Sequence, residues 1–364
     1  MTPLGFLLTF ALALGVTALA TPMVARIARV LQAIDRPDER KVNRRPDIPL
    51  LGGVAVACGF FVALAASVVV ASPAIPFKGH VEAYLLGGVL LLGVGAWDDR
   101  YGLRAATKLA VQLGAAAVAV VFGFQLDHLT DPFSRNTLTF PTWLMWLATT
   151  IWIVGVTNAI NLIDGLDGLA TGVSAIIAAT LTFIAWQSNS ITAAVVGVAY
   201  LGALLGFLPF NFSPARIFLG DTGALFIGFV LSLIALEAYQ KVTVLTFIVP
   251  ILALAVPIID TGLSVLRRVR RRAPIFSPDR LHIHHRLLRS EGSQRSAVLS
   301  IYFLTACFCV IAVSFTRLEG YAAILFLFAV VLLTLRLLRN LGFFEIEDSR
   351  DPAEAAASQE GEAR

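Results

Sequence analysis

The chain is 364 residues long, 57% hydrophobic and only 14% charged, with a mean hydropathy of +0.81. Soluble domains are nearer a quarter charged, so this composition excludes a soluble globular protein and indicates a polytopic membrane protein. The net charge of +4 hides a split: residues 345–364 carry seven acids and two arginines, net −5, leaving +9 on the remainder. Three isolated cysteines, Cys58, Cys307 and Cys309, lie in apolar runs without a C-x-x-C pair, so neither a disulfide framework nor a zinc site is suggested.

In chain order, the apolar runs cover residues 4–25, 50–71, 81–97, 106–124, 142–156, 169–186, 191–210, 224–239, 242–265, 297–315 and 321–338. Each is close to the length a bilayer demands, which predicts an all-α fold of about eleven transmembrane helices. The first run lacks a basic region before it and carries Arg26 and Arg29 after it, so no secretory signal is expected. Residues 1–344 form the expected transmembrane domain. Residues 345–364, acidic and without an apolar face, are expected to be a disordered tail.

Positive charge sorts the loops. Arg36, Arg40, Lys41, Arg44 and Arg45 follow the first span, Arg100 and Arg104 the third, and Arg267, Arg268, Arg270, Arg271, Arg272, Arg280, Arg286, Arg289 and Arg295 the ninth. The other side has only Lys78, Arg135, Lys241 and Arg317. The positive-inside rule then places the odd-numbered loops in the cytoplasm, the N-terminus outside and the C-terminus inside, in a multi-pass plasma membrane protein.

The polar constellations fall on the same side. Asp98 and Asp99 end the third span. The fifth loop holds Asn158 and Asn161, then Asp164 and Asp167, with Gly165 and Gly168 beside the acids. Residues three apart share a helix face, and a carboxylate at the end of a membrane span is by default a functional feature. Phe218, Gly220, Asp221 and Gly223 lie in the seventh loop, Asp260 late in the ninth span, and His282, His284, His285 and Arg286 in the ninth loop. Taken singly, these have simpler readings: Asp98-Asp99 as a helix cap, residues 267–272 as a topology signal, 158–168 as a polar turn. Their occurrence on one face favours a shared site on the cytoplasmic side.

Asp98, Asp99, Asp164, Asp167 and Asp221 are hard oxygen ligands with no thiolate partner, suited to Mg²⁺ or, as the alternative, Mn²⁺. Histidines among arginines suit an anion better than a cation. Together they indicate a diphosphate substrate. Free amides at the start of the helix after Gly220 favour phosphate, and Lys108 is placed to meet a lipid phosphate by snorkelling.

These residues resemble a known family, the polyprenyl-phosphate N-acetylhexosamine-1-phosphate transferases, from about residue 35 to 288. Five motifs carry the likeness: Lys41 with Ile48-Pro49 and Gly52-Gly53; Asp98-Asp99 with Lys108 and Gln112; residues 158–168; residues 218–223; and Asp279-Arg280 with His282, His284, His285 and Arg286. The His-x-His-His-Arg form is similar to the N-acetylglucosamine branch. Asn43 departs from the family pattern, where a histidine often follows the lysine. The resemblance implies transfer of N-acetylglucosamine-1-phosphate from UDP-N-acetylglucosamine to polyprenyl phosphate, releasing UMP and starting a lipid-linked cell-envelope glycan. It implies that Asp221, Asp98 and Asp99 hold the metal and do the chemistry. Lys41, Lys108, Asn158, Asn161, Asp164, Asp167, Phe218, His282, His284, His285 and Arg286 would bind substrate, Phe218 by stacking on uracil. The expected partners are polyprenyl phosphate, a UDP-sugar and membrane lipid, with no nucleic acid and with a homodimer left open. The alternatives are another donor, UDP-N-acetylmuramoyl-pentapeptide or UDP-N-acetylgalactosamine, and, in a different class, a membrane transporter.

Overall fold

A computed structural model describes residues 2–35, 47–71, 79–125, 128–130, 137–139, 141–238, 244–270, 282–318 and 320–340. Lys41, Asp279, Arg280 and the acidic segment 345–364 lie outside the described residues.

Apolar helices are the natural solution here, because a chain in lipid must satisfy its backbone polar groups internally. In order they are α1 (Pro3–Val30), α2 (Gly52–Ala71), α3 (His80–Tyr101), α4 (Ala105–Val121), α5 (Thr142–Ile163), α6 (Leu169–Gln187), α7 (Ile191–Asn211), α8 (Gly220–Glu237), α9 (Val244–Ala253), α10 (Ala255–Arg270), α11 (Ile283–Glu291), α12 (Gln294–Phe315) and α13 (Gly320–Asn340). Among the described residues, nine of these are long and apolar enough to cross a membrane; α4 is apolar but shorter. The protein is therefore an all-α polytopic membrane protein. Two short antiparallel pairs accompany the helices, β1 (Ile34–Asp35) with β2 (Ile48–Pro49) and β3 (His128–Thr130) with β4 (Thr137–Thr139). Residues 318–364 form a unit apart from residues 1–317; within it, α13 is apolar and ends with Arg339 in its last turn.

The expected ninth span, 242–265, is two helices. α9 stops at Ala253 and α10 starts at Ala255, between Pro250 and Pro257. Pro257 has no N–H to give to the Ala253 carbonyl; the thiol of Cys309 on α12 points at that carbonyl instead, 3.9 Å away. Two other helices run past their expected ends, α3 through Asp98 and Asp99 and α5 through Asn158 and Asn161. Apolarity marks where lipid ends, not where a helix ends.

The core is α8, whose residues from Thr222 to Glu237 are all buried. It packs against α2, α3, α5, α6 and α7. Glycines permit this crowding, as small residues do between membrane helices. A Cβ on Gly53 of α2 would lie 2.1 Å from the Gly223 Cα, and one on Gly95 of α3 would lie 2.4 Å from the Thr222 Cα. The first turn of α8 is thus wedged between two neighbouring backbones, and Asp221 sits within that turn.

Candidate active site

A cavity of about 790 Å³ opens at this end of α8. Its lining includes Asp35 and Leu50 beside β1 and β2, Asp98, Asp99, Arg104 and Lys108 from the α3–α4 corner, and Asp164 to Asp167 from the α5–α6 loop. Phe218 to Asp221 enter from the α7–α8 loop, and His284, His285 and Gln294 from α11 and α12. All of these segments belong to the odd-numbered loops of the sequence, so the polar motifs converge on one end of the bundle.

The loops are stitched together through their backbones. Phe218 N–H donates to Pro49 (2.9 Å), while Gly52 and Gly53 N–H donate to Phe218 and Leu219 (3.0 and 3.1 Å). Gly220 takes φ +71° and turns the chain into α8. No side chain at the start of α8 caps it. Asp99 of α3 does so from outside: Oδ1 accepts from Asp221 N–H (2.8 Å), and Oδ2 from Thr222 N–H (3.1 Å) and the Thr222 hydroxyl. This corrects the expectation that amides here are free to hold phosphate; those of Asp221 and Thr222 are occupied by Asp99. The simpler reading of Asp98-Asp99 as a helix cap therefore describes Asp99.

Asp98 points to the other side. Its Oδ1 accepts the Leu103 N–H that closes the α3–α4 corner, and Oδ2 pairs with Lys108 Nζ. The same Nζ lies 2.9 Å from Asp221 Oδ2. Lys108 is thus a bridge between two carboxylates, rather than a side chain reaching out to the membrane interface. Asn161 completes Asp221 by donating to Oδ1 (2.6 Å). Asn158, one turn earlier on the same face, exchanges amide hydrogen bonds with Gln112 of α4 (2.6 and 3.3 Å). It ties α5 to α4 rather than lining the cavity.

Asp164 follows the last turn of α5. Burial, and then the negative charges of Asp221, Asp99 and Asp167, push its carboxyl well above the ordinary range. Asp167 accepts the Ala215 N–H (2.9 Å) and so joins the α5–α6 loop to the α7–α8 loop. Gly168, at φ +79°, starts α6 and gives its carbonyl to the Tyr302 hydroxyl of α12. Gly165 has no room for a side chain: a Cβ there would lie 2.3 Å from His284 Nε2. Burial, reinforced by the neighbouring His285, pulls His284 down to about pKa 3, so it is a neutral imidazole at physiological pH. His282 and Arg286 are not among the residues lining the cavity, and His282 turns to Asp260 of α10 instead (Nδ1 to Oδ2, 2.9 Å).

Asp98, Asp99, Asp164, Asp167 and Asp221 thus crowd one space whose central cation is Lys108. Among the described residues, no three His, Cys, Asp or Glu side chains are drawn together as a closed metal site would require. Mg²⁺ does not need one: it keeps waters and substrate phosphates as ligands and asks for one or two carboxylates. Hard oxygen donors and surplus negative charge fit such an ion.

A polytopic helical bundle with an acidic cavity at one end is the setting of an integral-membrane transferase, and the comparisons agree. The model of glycosyl transferase family 4 matches residues 81–239. The chain is 36% identical to the probable undecaprenyl-phosphate N-acetylglucosaminyl 1-phosphate transferase of Bacillus subtilis, over 89% of this chain and 88% of that protein. It is 35% identical to the decaprenyl-phosphate N-acetylglucosaminephosphotransferase of Mycobacterium leprae, over 79% and 78% of the two chains. The undecaprenyl-phosphate alpha-N-acetylglucosaminyl 1-phosphate transferase of Escherichia coli shares 29% over the same proportions. The chain belongs to the polyprenyl-phosphate N-acetylhexosamine-1-phosphate transferases of glycosyl transferase family 4, and is a membrane-embedded sugar-1-phosphate transferase.

Proposed function

We propose that the protein transfers N-acetylglucosamine-1-phosphate from UDP-N-acetylglucosamine to a polyprenyl phosphate on the cytoplasmic side of the plasma membrane, releasing UMP. The observation that carries this reading is the Asp98–Lys108–Asp221 bridge at the wall of a cavity fed by every odd-numbered loop. The relatives' names supply the substrates.

An oxygen of the polyprenyl phosphate attacks the β-phosphorus of the donor. The bond from that phosphorus to the α–β bridging oxygen breaks, and the bridging oxygen leaves with UMP. Such a step asks the protein for positioning and charge neutralisation rather than covalent chemistry. A phosphate monoester is already largely dianionic at neutral pH, its second pKa being about 6. A strong base is not required, and direct attack is favoured over an aspartyl-phosphate intermediate.

Asp221, with Asp98 or Asp164 beside it, would hold Mg²⁺, which supplies neutralisation of the diphosphate charge. Lys108 orients Asp98 and Asp221 toward each other and offsets their repulsion. Asp99 fixes the first turn of α8, and with it the Asp221 backbone. Phe218, on the cavity wall, would stack on uracil, and the neutral His284 together with His285 would donate hydrogen bonds to the leaving diphosphate or the sugar.

Purified protein incubated with Mg²⁺, polyprenyl phosphate and labelled UDP-N-acetylglucosamine should yield UMP and a lipid-linked sugar, and chelation should stop the reaction. The muramoyl-pentapeptide donor should not be used, because sites that hydrogen-bond their substrate reject analogues strongly. Equal use of both donors would overturn the sugar assignment. Reporter fusions after Asp99 and Arg289 test the orientation, and an external signal from either would reverse it.

A further inference from the structure

Asp260 lies outside the cavity, and none of the chemistry above uses it. It is nevertheless a carboxylate buried in α10, 2% exposed, and burying a charge is costly unless it is well paired. Both oxygens point at one end of α11. Oδ2 lies 2.9 Å from His282 Nδ1, and Oδ1 accepts the Ile283 N–H at 2.8 Å. A carboxylate only accepts, so His282 carries its proton on Nδ1.

What this end of α11 positions is His284. That ring is buried, lines the cavity and rests on Gly165. Its Nδ1 has no hydrogen-bond partner among the described residues. No bond at that nitrogen orients the ring. Contacts among the described residues hold it: it is stacked on His282 (centroids 5.6 Å apart, planes 5° apart), tilted against His285 (4.3 Å), and pressed on the glycine. Toward its far end α11 packs on α12, and Glu291 there accepts the exposed Ser300 hydroxyl. The buried tether is what fixes the end that carries His282 and His284.

We propose that Asp260 is a positioning residue of the transferase: it anchors the His282–Ile283 end of α11 and so seats His284 on the cavity wall. The proposal rests on the reading of the cavity as the transfer site. Without the tether, the first turn of α11 loses its acceptor and His282 its orienting partner, and the His284 ring leaves Gly165.

The test uses the full chain in lipid nanodiscs with ¹⁵N-labelled histidine, of which the protein has only five. Wild type should show a protected Nδ1–H resonance, assigned to His282 by its absence in His282→Gln. It should vanish in Asp260→Ala while the His284 signal shifts. In the same variant kcat should fall on the order of 10²-fold, the scale of an ångström-sized misplacement. UMP affinity should stay near wild type, while the unfolding midpoint falls, as for any buried carboxylate taken from its partners. Asp260→Asn keeps an acceptor for Ile283 N–H and should recover a large part of kcat, and it serves as the variant if Asp260→Ala does not fold. Asp260→Ala/His282→Ala should be no slower than Asp260→Ala alone, because the two act as a unit. Wild-type kcat with the His282 resonance abolished would overturn the proposal, as would a loss of UMP affinity as large as the loss of kcat. If wild type fails to turn over UDP-N-acetylglucosamine, the functional reading fails. The tether is then still judged: an unshifted His284 resonance in Asp260→Ala refutes it.

Discussion

The two ends of α8 each hold a carboxylate, one buried and one half-buried, and they behave differently. At the C-terminal end, Glu237 is 2% exposed, with Oε1 on His80 Nδ1 (2.8 Å) and Oε2 accepting the Tyr84 hydroxyl (3.1 Å). His80 and Tyr84 also pack on the ring of Phe124, and Glu237 does not line the cavity. At the N-terminal end, Asp221 shares one lysine with Asp98, has Asp99 and Asp164 nearby, and faces open volume. A buried acid balanced by its own partners is a fastening. A half-buried acid among other acids, at the wall of a cavity, has capacity for an incoming cation.

The comparison predicts its own failure modes. Asp221→Asn keeps the shape and removes the charge, so transfer should fall at least 10²–10³-fold, the order expected for losing one electrostatic stabiliser. Glu237→Gln should leave it within about threefold, because no reacting group touches that end. UMP release by both variants in nanodiscs is the measurement, and equal inactivation would erase the distinction.

Next in size is Lys108→Met, which leaves Asp98 and Asp221 facing each other. A loss on the order of 10²-fold in kcat is expected, with half-saturation at a lower Mg²⁺ concentration, because the two carboxylates then attract the cation unopposed. An unchanged rate would mean that Lys108 is only a structural tie. Gly165→Ala should follow at roughly 10-fold, since the added methyl must displace His284; a wild-type rate there would take His284 out of the site.

At the opposite end the readout is stability. Glu237→Ala strands the Tyr84 hydroxyl and a ring nitrogen of His80, and removing one partner of a buried pair costs about 3–5 kcal/mol. Because His80 is partly exposed, the lower figure applies. Thermal unfolding of the variant against wild type checks it. An unshifted midpoint would deny the fastening role.

The last effect is pH-dependent. His284 has a folded pKa of about 3 against an ordinary 6.5. The unfolded chain therefore takes up a proton below pH 6.5 that the folded protein refuses, so stability falls as pH drops from 6.5 toward 3 and is unaffected above that range. The unfolding midpoint of His284→Gln should lose that part of the acid slope. A slope equal to wild type would show that the ring is not buried neutral.

Much of this was legible in the chain because lipid imposes simple constraints. Apolar runs mark the helices, and arginine asymmetry groups the polar motifs on one side. Asp98, Asp99, Lys108, Asp164, Asp167, Phe218, Asp221, His284 and His285 do line one cavity. Asn161 reaches it through Asp221, whereas Asn158, His282 and Arg286 are not among its lining residues. Asp260 was visible as a lone acid in an apolar run, which by itself signals importance without a role.

The sequence by itself determined the class of fold, because hydropathy and loop charge act residue by residue and need no partner to be read. Only the tertiary structure decided which acid does what. Asp98 and Asp99 are adjacent and chemically identical, yet successive helix residues point about 100° apart. One faces Lys108 and the other caps α8. The same holds for the Asp260–His282 tether, set by what a neighbouring element presents. Pairing between residues far apart in the chain depends on helix rotation and packing, and glycines such as Gly53, Gly95 and Gly165 fix that geometry by letting backbones and rings touch.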